Sequence, residues 1–223
     1  MTYKKYFTLS YDDGVHADKQ FLEIINAYGI KCTFNINSGL LPEEDTSNWY
    51  VCKNHIKDIY KGHEVATHGY THPWYNKLNR EQTAEDITKD IETLSELMGY
   101  PVLGHAYPYG CWTQDTLDVF KEHNIRYART VRSTLTFDLP GDPLLLDPTC
   151  HHGNREVFDL LEKFIHAEPT ESDMLFYLWG HSYEFNKGEE FNNWNHLEKI
   201  CKMISGKNDI VYCTNMEFFD RNK

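Results

Sequence analysis

Residues 6–14 read YFTLSYDDG, an apolar β-type run that passes directly into two adjacent carboxylates and a glycine. The run predicts a strand at 6–10, with Asp12 and Asp13 where it ends and Gly14 allowing a sharp turn. Because aspartate and glycine are common turn formers, this motif alone is best explained as a hydrated turn. Its meaning depends on what else lies at the same end of the sheet.

Strand-like runs and helical patterns alternate along the rest of the chain. Apolar residues at helical spacing predict a helix at 18–28 that ends at Gly29, and a strand follows at 31–36. Further strands are predicted at 64–67, 102–106, 125–129, 174–179 and 210–213, and further helices at 50–60, 79–97, 114–123, 155–166 and 193–204. This alternation predicts a parallel sheet with helices outside, closed into a barrel or left open. Since no repeat or flexible linker divides residues 1–223, we expect a single domain.

The chain is acidic, with 22 Lys and Arg against 34 Asp and Glu in 223 residues and a formal net charge of -12. Binding to nucleic acid or to an anionic membrane depends on clustered basic residues, whereas acidic residues are scattered throughout this chain. No apolar run approaches the roughly 20 residues that a membrane helix needs. We therefore expect no nucleic-acid partner and no membrane partner, and the sequence gives no indication of the oligomeric state.

The amino terminus and the cysteines bear on cellular location. Residues 1–10 lack the continuous apolar stretch and the small-residue cleavage site of a secretory signal. The six cysteines are widely spaced without a C-x-x-C pair, and several lie in apolar segments where a reduced thiol packs as a small hydrophobe. These features predict a cytoplasmic protein, although a chain from which a signal had been removed would look the same.

A second polar cluster follows the predicted strand at 64–67. His68 and His72 are four residues apart, so both imidazoles can lie on one face of a helical turn and bind one metal ion. With 12 histidines in the chain, such a pair also arises by chance. Because the carboxyl ends of parallel strands share one edge, one aspartate and these two histidines can meet as a His₂Asp site. Three protein ligands leave positions open for water and substrate, as in catalytic metal sites.

Two more segments fall at this edge of the predicted sheet. Residues 106–110, AYPYG, form a rigid turn that can direct a backbone N–H into the site, or simply a Pro-Gly turn. His181 follows the apolar strand at 174–179 and is a candidate for proton transfer, the alternative being a structural histidine.

Aromatic residues surround these segments and suit either the apolar face of a sugar ring or core packing. They are Trp74, Tyr75, Trp112, Trp179 and Tyr183. Trp74 and Tyr75 follow a candidate ligand in a loop, so for these two we expect a position in the cleft.

Four motifs in a fixed order carry a resemblance to a known family. Residues 10–14 (SYDDG) match a first motif, Thr/Ser-Phe/Tyr-Asp-Asp-Gly, and residues 68–72 (HGYTH) match a second, H-x-x-x-H. Residues 107–110 (YPYG) fit a third motif that ends in P-Y-G, and residues 178–181 (LWGH) fit a fifth in which a leucine precedes a histidine. In these motifs the sequence resembles the polysaccharide deacetylases with a NodB homology domain, carbohydrate esterase family 4. The resemblance implies an α/β fold, a distorted (β/α)7-type barrel of the NodB type.

The resemblance also implies a set of site residues. Asp13, His68 and His72 would be the ligands of a divalent metal ion, most commonly Zn²⁺ or else another transition metal. Asp12 would be the general base that takes a proton from the attacking water, and His181 the general acid that protonates the leaving amine. Metal-assisted activation of water lets a carboxylate act as the base near neutral pH.

Tyr109, Trp74, Trp179 and Arg129 complete the expected site on the substrate side. The resemblance implies that the backbone N–H of Tyr109 helps to hold the oxyanion. Many relatives have an arginine that orients the catalytic carboxylate, and this chain has Ala106 at that position. Arg129, at the end of the next predicted strand, is our candidate for supplying the guanidinium, with an exposed strand-end arginine as the alternative.

The family's fourth motif, an Asp-Trp segment whose aspartate tunes the general acid, has no clear counterpart between residues 130 and 170. Residues 147–153, DPTCHHG, lie in this region, and we expect His151 or His152 to line the cleft, a polar loop being the alternative. The sequence therefore leaves His181 without an identified tuning partner.

The resemblance implies a metal-dependent hydrolase that removes an acetyl group from an N-acetylated, or O-acetylated, carbohydrate. We expect a small-molecule or oligosaccharide substrate, because the barrel takes up nearly all of the chain. Two alternatives stay open: an amidase on the same scaffold that acts on a small amide, and a non-catalytic sugar-binding protein of the same fold. Retention of Asp12, Asp13 and both histidines of the pair counts against the last, since binding alone needs neither a base nor a metal.

Overall fold

The computed structural model describes residues 3–169 and 171–221. In these residues eight strands form one sheet: β1 (Lys5–Asp12), β2 (Cys32–Ile36), β3 (Glu64–Thr67), β4 (Gly104–Ala106), β5 (Tyr127–Arg129), β6 (Cys150–His151), β7 (Met174–Gly180) and β8 (Ile210–Tyr212). The α-helices of the same residues are α1 (Ala17–Ala27), α2 (Ile56–Ile59), α3 (Arg80–Met98), α4 (Gln114–Glu122), α5 (Val157–His166), α6 (Trp194–Ile204) and α7 (Asn215–Arg221).

The strands of this sheet pair in parallel, and β1 lies at its centre. The strand order is β5-β4-β3-β2-β1-β7-β6, with β8 as an additional partner of β1. Along one edge of β1, β7 pairs from Lys5 opposite Met174 to Tyr11 opposite Gly180. The other edge is shared, with β8 opposite the start of β1 and β2 opposite its end. Every residue of β1 is buried, as expected for a parallel strand that is covered on both faces.

An irregular stretch, residues 143–152, closes the curled sheet, and we call it the closing segment. Near its start, Leu146 forms a parallel bridge with Arg129 of β5. Near its end, Cys150 pairs with Leu178 of β7 through the short strand β6. The prediction of a distorted (β/α)7-type barrel is thereby confirmed, with irregular chain forming one part of the barrel wall.

Alternation along β1 sorts its side chains between two environments. The side chains that join the hydrophobic core shared with α1, α5 and α6 are Phe7, Leu9 and Tyr11. The alternate side chains, which contact residues of the barrel interior, are Tyr6, Thr8, Ser10 and Asp12. Asp12, the last residue of β1, therefore points into the carboxyl-terminal mouth of the barrel.

Some predicted elements differ from the structure. The helix predicted at 50–60 is reduced to α2, because Tyr50 and Val51 are extended and pair with the loop that follows β1. The strand predicted at 125–129 begins only at Tyr127, since the backbone N–H of Ile125 still bonds to the last turn of α4. None of the helices in the described part of the chain is long and apolar enough to cross a membrane.

The core position of β1 gives a test of the fold. Phe7 is fully buried, with its ring 5.6 Å from that of Phe176. We expect Phe7→Ala to lower the free energy of unfolding by about 3–5 kcal/mol, because it removes a buried ring and leaves a cavity. Urea denaturation followed by circular dichroism measures this loss. The control Tyr3→Ala, at a side chain that is 39% exposed, should stay within about 0.5 kcal/mol of the parent. A loss below about 1 kcal/mol for Phe7→Ala would contradict this packing.

Candidate active site

Polar side chains from four strands meet at the carboxyl-terminal mouth of the barrel. Asp12 ends β1, His68 follows β3, Arg129 ends β5 and His181 follows β7. In parallel α/β sheets this is the end at which ligand sites form. The sequence-based expectation that these segments share one edge agrees with the observed topology.

Asp13, His68 and His72 form a group of three potential metal ligands. The nearest Asp13 carboxylate oxygen lies 3.7 Å from Nε2 of His68 and 3.6 Å from Nε2 of His72. Two ligand atoms that are each about 2.1 Å from one ion are at most about 4.2 Å apart, so both distances suit a shared ion. All three ligand atoms lie within 4.8 Å of one another.

The surroundings of His68 prepare it for ligation. Its Nδ1 donates a hydrogen bond to the carbonyl oxygen of Ala106 at 2.7 Å, which leaves the lone pair of Nε2 facing Asp13. Burial lowers the pKa of His68, although the carboxylates of Asp12 and Asp13 oppose this shift. The imidazole is therefore held in the neutral form that a metal requires, and the donor set fits a divalent ion with three protein ligands.

The backbone is strained where these ligands lie. Among the described residues, the non-glycine residues with positive φ are Asp13, His72, Tyr109, Asn124 and Leu135. Asp13 has a φ of 86°, and its N–H bonds to the carbonyl oxygen of Asn35 at 2.9 Å. Such strain persists only where surrounding contacts hold it, and it is concentrated at functional sites.

Arg129 lies against Asp12, as its strand-end position predicted. Its Nη2 is 2.6 Å from one carboxylate oxygen of Asp12 and 2.5 Å from the other, and Arg129 is fully buried. Asn35 donates a further bond to the same carboxylate at 2.7 Å. Burial alone would raise the pKa of Asp12, but the Arg129 charge outweighs it and lowers this pKa to about 2. Asp12 is therefore a fixed, ionised carboxylate at neutral pH.

His181 faces Asp12 from the end of the neighbouring strand β7. Its Nε2 lies 3.9 Å from a carboxylate oxygen of Asp12, and its Nδ1 lies 3.4 Å from a carboxylate oxygen of Glu184. Burial alone would lower the pKa of His181, but the hydrogen bond to Glu184 and the charge of Asp12 outweigh it and raise the pKa. The ring is thus favoured in the protonated form that a general acid needs.

Glu184 is a site residue that we did not single out from the sequence, although its spacing three residues after His181 was a usable signal. The spacing places both on one side of the 3₁₀ turn Ser182–Lys187. Glu184 also contacts His151, whose Nε2 lies 2.9 Å away. Of the two histidines expected to line the cleft, His151 lies at its edge and is partly exposed. The expectation that either histidine lines the cleft is met by His151, whereas the ring of His152 is fully buried and packs against the backbone of Gly180.

Two further buried carboxylates support the site, and no sequence pattern distinguished them from surface residues. Asp90 of α3 accepts a hydrogen bond from the backbone N–H of His68 at 3.0 Å. Asp18 of α1 accepts one from the hydroxyl of Ser182, next to His181, at 2.5 Å. Burial raises the pKa of each carboxyl to about 7 against the opposing hydrogen bonds. These contacts tie the loops after β3 and β7 to the helices.

Exposed aromatic rings stand beside the ligand group. Trp74 stacks on Tyr109 with ring centroids 3.8 Å apart and planes at 8°, and the edge of Tyr109 packs against His72. Trp74 is 41% exposed and Tyr109 is 49% exposed, and the ammonium of Lys77 lies over the Trp74 ring, 4.6 Å from its centroid. For Tyr75 the expected place in the cleft is wrong, because its hydroxyl bonds to Asp86 of α3 and its ring is fully buried.

Trp179 covers the Arg129–Asp12 pair. The guanidinium of Arg129 lies over the Trp179 ring, 4.5 Å from its centroid. An aromatic face over a buried cation stabilises the charge. One face of the Trp179 ring is therefore occupied by Arg129. The contact with substrate that we predicted for Trp179 is confined to the part of the ring that stays exposed.

Comparison with known proteins connects this site with a family. Residues 1–128 match the sequence model of the polysaccharide deacetylases. A curated relative, the peptidoglycan-N-acetylglucosamine deacetylase of Bacillus cereus, is 29% identical over 119 residues, which cover 52% of this chain and 40% of the relative. The curated relatives are matched over 34–40% of their own length.

Solved structures share the fold. The CE4 domain of a multidomain xylanase from the hindgut metagenome of Trinervitermes trinervoides has a TM-score of 0.62 at 17% identity, covering 98% of this chain and 91% of that chain. A CE4 family pseudoenzyme from Bacillus anthracis has a TM-score of 0.63 at 16% identity, covering 99% of this chain and 67% of that chain. Because the family match takes in more than half of the sequence and includes the segments that carry Asp12, His68 and Tyr109, this chain belongs to the polysaccharide deacetylase family.

Proposed function

We propose that this chain is a metal-dependent hydrolase that removes an acetyl group from an N-acetylated carbohydrate. The observation that carries the proposal is the position of the buried Arg129–Asp12 pair. It lies between a group of ligand atoms spaced for one ion and the Nε2 of His181. A base, a metal position and an acid are thus combined within one mouth of the barrel.

A divalent ion fits the group formed by Asp13, His68 and His72, and we propose zinc. When bound, the ion supplies polarisation of the scissile carbonyl and a lower pKa for the attacking water. The three side chains hold it while leaving coordination positions for water and substrate.

The other residues divide the proton transfers between them. Asp12, ionised at neutral pH and oriented by Arg129, accepts the proton of the attacking water. His181 donates a proton from Nε2 to the leaving nitrogen, which departs as an amine. The backbone of Tyr109, next to His72, is proposed to donate to the oxyanion. An amine is a poor leaving group unless it is protonated, so a charged His181 favours N-deacetylation over O-deacetylation.

The stacked pair of Trp74 and Tyr109 supports a sugar substrate. The exposed parts of the two rings lie beside His72 of the proposed metal position, where a pyranose ring can pack while the acetyl group enters the site. Trp49 and Tyr183 form a second aromatic contact, with ring centroids 4.9 Å apart, near His181.

We propose a small-molecule or oligosaccharide substrate and a cytoplasmic location.

Metal content tests the ligand group. We expect the purified chain to bind about one equivalent of zinc or cobalt, and His68→Ala to lose most of it, because one of three ligands is removed. Inductively coupled plasma mass spectrometry after dialysis measures the stoichiometry. The exposed His166 at the end of α5 provides the control, since His166→Ala should bind as the parent does. A metal-free parent that still binds acetylated sugars would instead support a sugar-binding protein.

Acetate release tests the role of Asp12. We expect Asp12→Asn to keep the metal but to lower kcat by roughly 10²–10⁴-fold, since it removes the base and not a ligand. Acetylated mono- and oligosaccharides assayed with zinc or cobalt provide the rates. The exposed Asp45→Asn should leave them unchanged. Turnover that survives in Asp12→Asn would mean that the roles of Asp12 and Asp13 are assigned wrongly.

Substrate kinetics test the aromatic pair. Removing the Trp74 ring should cost about 1 kcal/mol of sugar binding, so we expect Trp74→Ala to raise KM roughly 5-fold with kcat nearly unchanged. Trp112→Ala is the matched control, because this exposed tryptophan lines a separate depression with Val131 and Arg132. An equal rise in KM for both variants would speak against a specific sugar platform at Trp74.

A further inference from the structure

The carboxylate of Glu184, near the proposed acid His181, is surrounded by several basic side chains. The same oxygen of Glu184 lies 2.9 Å from Nε2 of His151, 3.4 Å from Nδ1 of His181 and 3.5 Å from Nε2 of His152. The other oxygen lies 3.2 Å from the ammonium of Lys187. The Glu184 side chain is 14% exposed, so its contacts with the histidines are shielded from water, whereas the ammonium of Lys187 reaches it from the exposed side.

We propose that Glu184 is the positioning residue of His181, accepting the hydrogen bond of Nδ1–H so that Nε2 is the nitrogen that carries a proton to the leaving group. This inference rests on the proposed deacetylase function, in which His181 is the acid. A neutral imidazole has one protonated nitrogen, and the partner of that nitrogen determines which one it is. Because Glu184 takes Nδ1–H, Nε2 is directed at Asp12 with its lone pair free to bind the proton that it delivers.

His151, His152 and Glu184 together also have the composition of a metal site. The hydrogen bonds exclude ligation by His151. The backbone N–H of Gly153 donates to Nδ1 of His151 at 3.0 Å, so Nδ1 carries a lone pair and the ring proton is on Nε2. A protonated Nε2 cannot bind a metal, whereas it can donate to Glu184 at 2.9 Å. His151 and His181 therefore direct one nitrogen each at the Glu184 carboxylate, while Nε2 of His152 bonds to Oδ1 of Asn192 at 3.1 Å.

The turn that carries Glu184 is anchored on both sides. Ser182 donates its hydroxyl proton to the buried Asp18, which also accepts from Tyr60, while Phe185 is buried against Tyr11 and Phe21. These contacts fix the turn Ser182–Lys187 to α1 and β1. The separation of His181 from Asp12 is thus determined by packing and does not depend on a mobile loop.

The charges that face His181 come from several elements. The anionic groups are Asp12 and Asp13 at the end of β1 and Glu184 on its own turn, and His151 approaches from β6 with ring centroids 6.4 Å apart. Hydrogen bonds from His151 and His181 outweigh burial and lower the pKa of Glu184, so this carboxylate is ionised at neutral pH. Its charge therefore persists while His181 titrates.

Enzyme kinetics give the first test, with Glu184→Gln, Glu184→Asp and the exposed Glu190→Gln as the matched control. We expect Glu184→Gln to lower kcat roughly 10- to 100-fold with KM nearly unchanged, Glu184→Asp to recover part of the loss, and the control to match the parent. Without the carboxylate, His181 loses its proton at lower pH. The high-pH limb of kcat/KM should therefore move to lower pH in Glu184→Gln. A parent-like kcat with an unmoved limb would overturn the proposal.

A spectroscopic measurement keeps the inference testable if Glu184→Gln fails to fold. In ¹⁵N-detected histidine spectra of the full parent chain, with and without zinc and with His181→Gln for assignment, neutral His181 should carry its proton on Nδ1. A proton on Nε2 would overturn the proposal, as would a second equivalent of zinc that is lost in Glu184→Gln. Failure of the parent to release acetate from any acetylated sugar contradicts the proposed function instead, and it does so independently of the tautomer.

Discussion

The buried ion pair between Arg129 and Asp12 is the interaction on which the site depends. Removing two charges from water is expensive, and a buried pair is tolerated only where geometry is good and further bonds satisfy both partners. Here Asn35 bonds to the carboxylate, Nη1 of Arg129 donates to the carbonyl oxygen of Thr130 and Trp179 covers the guanidinium, while Nε of Arg129 has no hydrogen-bond partner among the described residues. Because the partners belong to β1, β2, β5 and β7, the pair forms only when the barrel is closed. Closure of the fold and orientation of the proposed base are therefore one event.

Two adjacent aspartates acquire different roles from the backbone between them. Asp12 follows the alternation of β1 and enters the barrel, where a cation lowers its pKa. Asp13 leaves that alternation through a positive φ and joins His68 and His72 in the same mouth of the barrel. In an ideal strand, neighbouring side chains point to opposite faces, and Asp13 would face the helices. The strained turn at Asp13 therefore places both carboxylates in the same mouth of the barrel.

The parallel sheet and a candidate position for Arg129 at its edge could be predicted from the sequence, because both depend on where β-type runs end. The burial of Tyr75 could not be predicted in this way, since it depends on a hydrogen bond to Asp86, which belongs to a different element, α3. The predicted helix at 50–60 failed for a similar reason: Tyr50 bonds with the loop after β1, a contact that no local pattern reports. Glu184 lies three residues after His181, a spacing that is visible in the sequence. Its contact with His151 is not, because it depends on β6 lying beside the turn that carries Glu184. Local periodicity thus locates the ends of strands, while contacts between elements decide which polar residues serve the site.

The closing segment bears on how members of this fold can diverge. In a strand ladder, inserting one residue turns every later side chain to the opposite face, so length is conserved wherever a strand carries a functional group. The closing segment is hydrogen-bonded to its neighbours at many of its residues, among them Leu146, Thr149 and His152, but it pairs with neither β1 nor β3. Insertions between those residues leave the register of β1 and β3 intact, and with it Asp12 and His68. Natural selection can therefore remodel this wall, and the range of molecules admitted beside it, without rebuilding the chemistry.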